Sequence, residues 1–287
     1  MAATEALGTV PLSPAHAEDG FRLSTEAGWN QTAPDWRLML ETGEGIGQLT
    51  AEGELAASAV ILPYGGRLAW IGMVLTSESF RRRGLATANL RWAIRRCEEL
   101  GLVAGLDATP AGREVYRPLG FEAVFGLTRF KAEASAAMAG APEGVTLRPM
   151  LVDDLDRVAR ADADAFGAAR HHLVAYLRKS APESGWVAER GSDLAGFVLG
   201  RPGRLARHIG PLCAQDVEVA GALLGRALGD RQEPVSIDVP DDRSAFAAWL
   251  EQHGFARVRP FTRMLKDARS GPGDPRRLFA SAGPELG

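Results

Sequence analysis

The sequence predicts an α/β fold of two tandem domains, each a mixed, mostly antiparallel sheet flanked by helices. Three observations carry that expectation. From Gly45 the text falls into short apolar runs, 46–51, 55–63 and 68–76, separated by Glu52-Gly53 and Gly65-Gly66, which is the pattern of an antiparallel meander. A helical run follows at 87–100, where Leu85, Leu90, Ala93, Ile94, Cys97 and Leu100 recur at helical spacing and Arg91, Arg95, Arg96, Glu98 and Glu99 fill much of the other face. The same order of text then returns in altered form after residue 145, and self-similarity over that length signals a duplication.

Taken in order, Met1–Gly20 is small, polar and proline-bearing, which predicts a flexible N-terminal arm. Residues 21–24 read as a first strand, and 29–40, anchored by Trp29, Trp36, Leu38 and Leu40, as a loop plus a short helix. The spacing Gly43-x-Gly45-x-Gly47 precedes a strand and not a helix, so it reads as turn chemistry and not as a dinucleotide loop. Gly101 ends the long helix, and 102–108 is a buried strand beside the last strand of the meander. Thr109 caps a new helix with Pro110 at its first position, where a missing N–H costs nothing. That helix ends at Leu119-Gly120-Phe121, and 123–130 is a closing strand. Residues 132–144 are rich in small residues and suit a linker, so the expected domains are 21–131 and 145–268, followed by a tail at 269–287. The tail carries Leu278, Phe279 and Leu286 as possible anchors for docking.

The second copy opens with a strand at 145–149 and has helical anchors at Leu155, Val158 and Phe166 and at Leu173, Tyr176 and Leu177. Trp186–Glu189 and Leu194–Leu199 repeat the meander, and Ile209-Gly210 echoes Ile71-Gly72. Ile237-Asp238-Val239-Pro240 parallels Leu106-Asp107-Ala108-Thr109. His253-Gly254-Phe255 matches Leu119-Gly120-Phe121, and Phe261-Thr262-Arg263 matches Leu127-Thr128-Arg129.

Composition narrows the partners. With 287 residues, 46% hydrophobic and 24% charged, the chain has the means to bury a sizeable core in each of two domains. A net charge of -3 argues against nucleic acid or an anionic membrane as the main partner, since both select a basic surface. Cys97 and Cys213 match neither a disulfide framework nor a zinc site, so no metal is expected. No apolar stretch reaches membrane-spanning length and the N-terminus lacks a signal layout, which predicts a soluble, cytoplasmic protein.

The chemistry centres on Arg81-Arg82-Arg83-Gly84-Leu85-Ala86, between a strand and a helix. A glycine there lets the backbone approach a ligand closely, the free N–H groups of the helix N-terminus attract an anion such as a pyrophosphate, and three arginines add positive charge. A solvated basic turn has the same appearance, so context must decide. Val74–Thr76, Arg81-x-x-Gly84-x-Ala86 and Tyr116-Arg117-Pro118-Leu119-Gly120-Phe121 stand in the order that resembles the GNAT (GCN5-related N-acetyltransferase) superfamily over roughly 21–130. The whole chain resembles the bacterial tandem-GNAT proteins of the YitH-like group, with a degenerate C-terminal repeat.

That resemblance implies transfer of an acetyl group from acetyl-CoA to the amine of a small molecule or amino acid. It implies a cofactor site made of Val74, Leu75, Thr76, Arg81, Arg82, Arg83, Gly84, Leu85, Ala86 and Thr87. It makes Tyr116 the general acid that protonates the departing thiolate, and Glu78, just past the strand end, a candidate base. Asp107 is a second candidate base, readable also as a helix-capping carboxylate. Trp29 and Trp36 stand where family members wall the acceptor pocket, although core packing explains them as well. His171-His172 reads as a surface pair. One departure from the family is Thr109, where many members carry Asn. In the second copy Asp216 and Glu218 stand where a pyrophosphate would sit, and Leu250 takes the place of Tyr116, so that copy is expected to have lost CoA binding. The alternative reading of the chain is a non-catalytic CoA-binding or sensing module whose second domain binds a ligand or protein.

Overall fold

Residues 55–64 are apolar on both faces and nearly all buried, and they become the central strand of the first sheet. The computed structural model describes residues 7–133, 140–268 and 270–287. They pack as two compact units, one comprising the chain up to Leu106 with 203–205 and Leu286, the other 107–202, 206–285 and Gly287.

The first unit contains β1 (Gly8–Leu12), α1 (Ala17–Glu26), α2 (Ala33–Thr42), β2 (Glu44–Leu49), β3 (Leu55–Tyr64), β4 (Leu68–Thr76), α3 (Leu85–Glu99) and the first four residues of β5 (Val103–Ala108). The strands lie in that order; the first four are antiparallel, and β5 runs parallel to β4. Helix α2 begins with a reciprocal cap in which Thr32 accepts from the Asp35 amide and Asp35 accepts from the Thr32 amide. Helix α3 is held on β2 by a buried amide pair, with Gln48 Nε2 donating to Asn89 Oδ1 (2.7 Å) and Asn89 Nδ2 to Gln48 Oε1 (2.9 Å).

The expected N-terminal arm and the strand at 21–24 are corrected here. Residues 8–12 pair with β2, and 17–26 form one helix; residues 1–6 lie outside the described residues. The helix was hidden because its buried stripe, Ala17, Gly20, Leu23 and Ser24, is mostly small. Those small residues admit the Trp36 ring: a Cβ at Gly20 would lie 2.4 Å from it, and Trp36 Nε1 donates to Ser24 Oγ at 3.1 Å. Trp36 is therefore fully buried core and walls no acceptor pocket.

The second unit begins at Asp107 and so takes the end of the first copy, α4 (Pro110–Tyr116) and β6 (Phe121–Ala132). It continues with β7 (Thr146–Pro149), α5 (Leu155–Phe166), α6 (His171–Ser180), β8 (Trp186–Arg190), β9 (Asp193–Arg201), β10 (Arg207–Ala214), α7 (Val217–Leu228), β11 (Val235–Pro240), α8 (Ser244–Gln252), β12 (Ala256–Lys266) and β13 (Leu278–Ala280). Its strand order is β12-β6-β11-β10-β9-β8-β7, with β13 on β10. The closing strand of the first copy thus lies between the last two strands of the second, antiparallel to both.

Two buried ion pairs mark this exchange. Arg129 on β6 grips Asp238 through two bonds of 2.7 Å, and Arg263 on β12 grips Asp107 through bonds of 2.9 and 2.8 Å. Asp107 and Asp238 are equivalent positions of the repeat, as are Arg129 and Arg263, so each copy's aspartate is satisfied by the other copy's arginine. Such bidentate, charge-assisted pairs fix geometry, and removing one partner leaves a buried charge uncompensated, at about 3–5 kcal/mol.

Of the expected linker, Ala132 belongs to β6 and 134–139 fall outside the described residues. The tail is docked: Leu278, Phe279 and Leu286 are all buried. Among the described residues no helix is long and apolar enough to cross a membrane, and no cluster of His, Cys, Asp or Glu is placed to hold a metal.

Candidate functional site

Strand β4 pairs with β5 only through Leu68, Ala69 and Trp70, then runs on to Thr76. Over that stretch it bulges against β3: Ser58 pairs with Leu75 and Val60 with Gly72, so Ala59 alone faces both Met73 and Val74. Met73 is left-handed, at φ 52°, and Ser58 Oγ donates to its carbonyl at 2.8 Å, which pins the bulge. Beyond it Val74 and Thr76 are partly exposed while Leu75 is buried, and the buried hydroxyl of Thr76 has no hydrogen-bond partner among the described residues. This strand end offers backbone and hydroxyl groups to an extended polar ligand.

At the end of α1, Glu26 Oε1 accepts from Ser77 Oγ at 3.0 Å and from the Glu78 amide, fixing the turn at 78–80. The arginine loop follows. Arg81 Nε reaches the Thr76 carbonyl at 3.4 Å, and Arg83 lies over the Phe80 ring at 4.8 Å while donating to the Ser79 carbonyl at 3.3 Å. Arg82 and Gly84 both have positive φ, 62° and 79°. A Cβ at Gly84 would meet nothing within 4 Å, so backbone conformation and not crowding selects glycine. Gly84 is the N-cap of α3; no side chain caps the helix, and its first turn contains no acidic residue. The first N–H groups of α3 have no intrahelical acceptor, and Arg81, Arg82, Arg83, Ala86 and Thr87 are exposed around them. An uncapped helix start ringed by arginines fits a pyrophosphate.

Tyr116 lies in the second unit, on α4. Thr109 Oγ1 accepts from the Gly112 amide at 3.1 Å, so threonine serves as the cap that the sequence suggests. The Tyr116 ring folds over Gly112, where a Cβ would stand 3.0 Å from Cε2, and lies 6.0 Å from the Phe121 ring. It is half-buried, and its hydroxyl has no hydrogen-bond partner among the described residues. Burial pushes the phenol above its ordinary pKa, which keeps it protonated and able to donate.

The remaining candidates separate clearly. Glu78 is exposed and pairs with Arg81 at 3.3 Å. Asp107 is neither base nor cap, because both its oxygens are committed to Arg263 and its side chain is 1% exposed. His171 is an exposed partner of Asp156 at 3.2 Å, and His172 is also exposed, its pKa lowered by partial desolvation and by the neighbouring Arg170 and His171. Sequence reasoning missed Ser58, Glu26 and the Met73 bulge; methionine gives no local sign of a left-handed backbone.

The second copy repeats this frame with different groups. Its β10–β11 ladder also has three pairs, ending at Ile209 with Ile237. Its bulge places Leu199 opposite Gly210 and Pro211, with Gly210 at positive φ. Pro211 is the second residue of this bulge, as Val74 is of the first copy's, and it has no N–H. Helix α7 is capped by Asp216, whose Oδ1 accepts from the Val219 amide at 2.8 Å. Leu250, in the place of Tyr116, is fully buried in the core.

Comparison with known proteins finds a related family model in each half of the chain. Residues 16–121 match the model of the acetyltransferase (GNAT) family, and residues 158–280 match that of an acetyltransferase (GNAT) domain. A curated relative from Bacillus subtilis, described as the uncharacterized N-acetyltransferase YitH, is 24% identical over 86% of both chains. Among solved structures, a putative acetyltransferase from Pyrococcus horikoshii is similar with a TM-score of 0.78 and 21% identity, covering 98% of this chain and 96% of that one. A tandem GNAT protein from the clavulanic acid biosynthesis pathway is similar with a TM-score of 0.65 and 16% identity, over 94% of this chain and 100% of the other. These two structural likenesses concern the fold.

Proposed function

From the premise that the chain belongs to the GNAT acetyltransferase family, with a family domain in each half, we propose that the first copy transfers an acetyl group from acetyl-CoA to the amine of a small molecule or amino acid in the cytoplasm. The observation that carries this reading is the start of α3, where Gly84 and three arginines surround N–H groups that no side chain caps.

Each residue then has a physical task. Arg81, Arg82 and Arg83, with the first amides of α3, bind the pyrophosphate. The stretch 74–76, past the last β5 pair, hydrogen-bonds the amides of the pantetheine arm. The Val74 N–H, re-aimed by the bulge, stabilises negative charge on the thioester oxygen as the amine adds to the carbonyl carbon. When the C–S bond breaks, the Tyr116 hydroxyl gives its proton to the thiolate. The amine's proton leaves to Glu78 or to water.

The test is calorimetry with acetyl-CoA together with thiol release across a panel of amines. One bound acetyl-CoA per chain and thiol release with at least one amine are expected. Binding without turnover on any amine would instead favour a sensing module.

A further inference from the structure

In the second copy, the stretch of β10 beyond Ile209 is covered by the chain's own tail. Strand β13 lies antiparallel on it, pairing Leu212 with Ala280 and Cys213 with Leu278. The Ser281 amide donates to the Asp238 carbonyl of β11 at 2.9 Å. The tail therefore bridges the two strands at the point where their own ladder stops. A Cβ at Gly210 would lie 1.8 Å from the Ser281 carbonyl oxygen, so glycine is what admits the tail backbone there. His208 Nε2 is 3.2 Å from that same oxygen, and Arg243 donates to the carbonyls of Leu278 (3.1 Å) and Pro275 (3.0 Å).

What is recognised is mainly backbone. Among the described residues the buried Ser281 hydroxyl has no hydrogen-bond partner, whereas the amide and carbonyl of the same residue are both engaged. A slot that uses the amides of an extended chain and neglects its polar side chain suits any extended diamide. In the first copy no strand among the described residues pairs with the corresponding stretch, 74–76, in this way; Val74 and Thr76 are partly exposed and the Thr76 hydroxyl has no partner among them.

We propose that residues 278–281 occupy, in the second copy, the slot that the pantetheine arm occupies in the first, so that this half is shut to acyl-CoA by the protein's own tail. The comparison with the first copy rests on the acetyltransferase reading above, but the occupancy of the slot does not.

The full chain carrying Cys97→Ser provides the test, because Cys213 is then its one thiol and lies buried beside β13. Labelling of Cys213 by a maleimide reports departure of the tail. Arg243→Ala removes two tail bonds without touching a strand pair, and it should raise the labelling rate about tenfold with an unchanged circular dichroism spectrum. Ala280→Asp puts an unpaired charge into the slot and should raise the rate roughly a hundredfold or more. S-acetylpantetheine at millimolar concentration should slow labelling of both variants and leave the parent unaffected. Fast labelling of the parent, unchanged labelling in the variants, or no slowing by S-acetylpantetheine would overturn the proposal. If Ala280→Asp does not fold, the Arg243→Ala arm decides alone. Since labelling needs no acyl-CoA turnover, a first copy without activity would leave this result standing.

Discussion

The two copies share a strand ladder of three pairs that then stops, a bulge just beyond it, and a helix that starts after a loop, yet they differ at each point where chemistry would occur. At the bulge one has Val74 with an N–H and the other Pro211 without one. At the helix start one has Gly84 with arginines and the other a carboxylate that caps the helix itself. On the following helix one has a half-buried phenol and the other a core leucine. Under the proposed function, fold and activity rest on separate residues: burial and strand pairing preserve the frame, while an N–H, a cap and a hydroxyl would decide what it does.

The comparison is broken most severely by giving the first copy the second copy's charge. Gly84→Asp adds a carboxylate and a strained left-handed backbone at the proposed pyrophosphate site, so acetyl-CoA binding should vanish in calorimetry while the melting temperature changes little. Val74→Pro imposes the second copy's bulge on the first and deletes one N–H. Loss of a single oxyanion donor should lower kcat about 10²–10³-fold, and steady-state kinetics on a variant with an unchanged circular dichroism spectrum would show it. Tyr116→Phe keeps the ring over Gly112 and removes only the hydroxyl, so kcat should fall on the order of 10²-fold with KM for acetyl-CoA nearly constant. A folded Tyr116→Phe enzyme that retained kcat within about threefold would exclude the acid role.

The smallest effect concerns the second copy's frame and its pH dependence. His208 is fully buried, set among Asp238, Arg201, Arg129 and Glu285, and burial lowers its pKa to about 4. A histidine with a depressed folded pKa stabilises the fold above its unfolded pKa, and that contribution is lost as pH falls from about 6.5 towards 4. Denaturant melts should show about 2 kcal/mol less stability at pH 5 than at pH 7, and His208→Gln should flatten that slope.

Local signals made much of the fold legible. Turn dipeptides gave the meander, helical spacing gave α3, and Thr109-Pro110 gave the start of α4, because each is decided by neighbours in sequence. Helix α1 escaped because its buried stripe is mostly small, with Gly20 and Ser24 fitted to the Trp36 ring sixteen and twelve residues away. The strand exchange escaped for a different reason: β6 reads as a closing strand whatever it closes, and nothing near Asp107 says that its partner is Arg263. In the site, the arginine loop was readable from charge and glycine, whereas the bulge depended on a cross-strand bond from Ser58. Pro211 was visible in the text, but its meaning needed the register that places it opposite Leu199.

The reciprocal ion pairs also set a timetable. Asp107 must wait for an arginine that lies 156 residues further along the chain. At ribosomal rates of about 5–20 residues per second, that aspartate spends on the order of 10–30 s without its partner while the chain is being made. Asp238 finds its arginine already synthesised, since Arg129 precedes it. The nascent first copy therefore stays unfinished until Arg263 has been made, its closing strand promised to a sheet that does not yet exist.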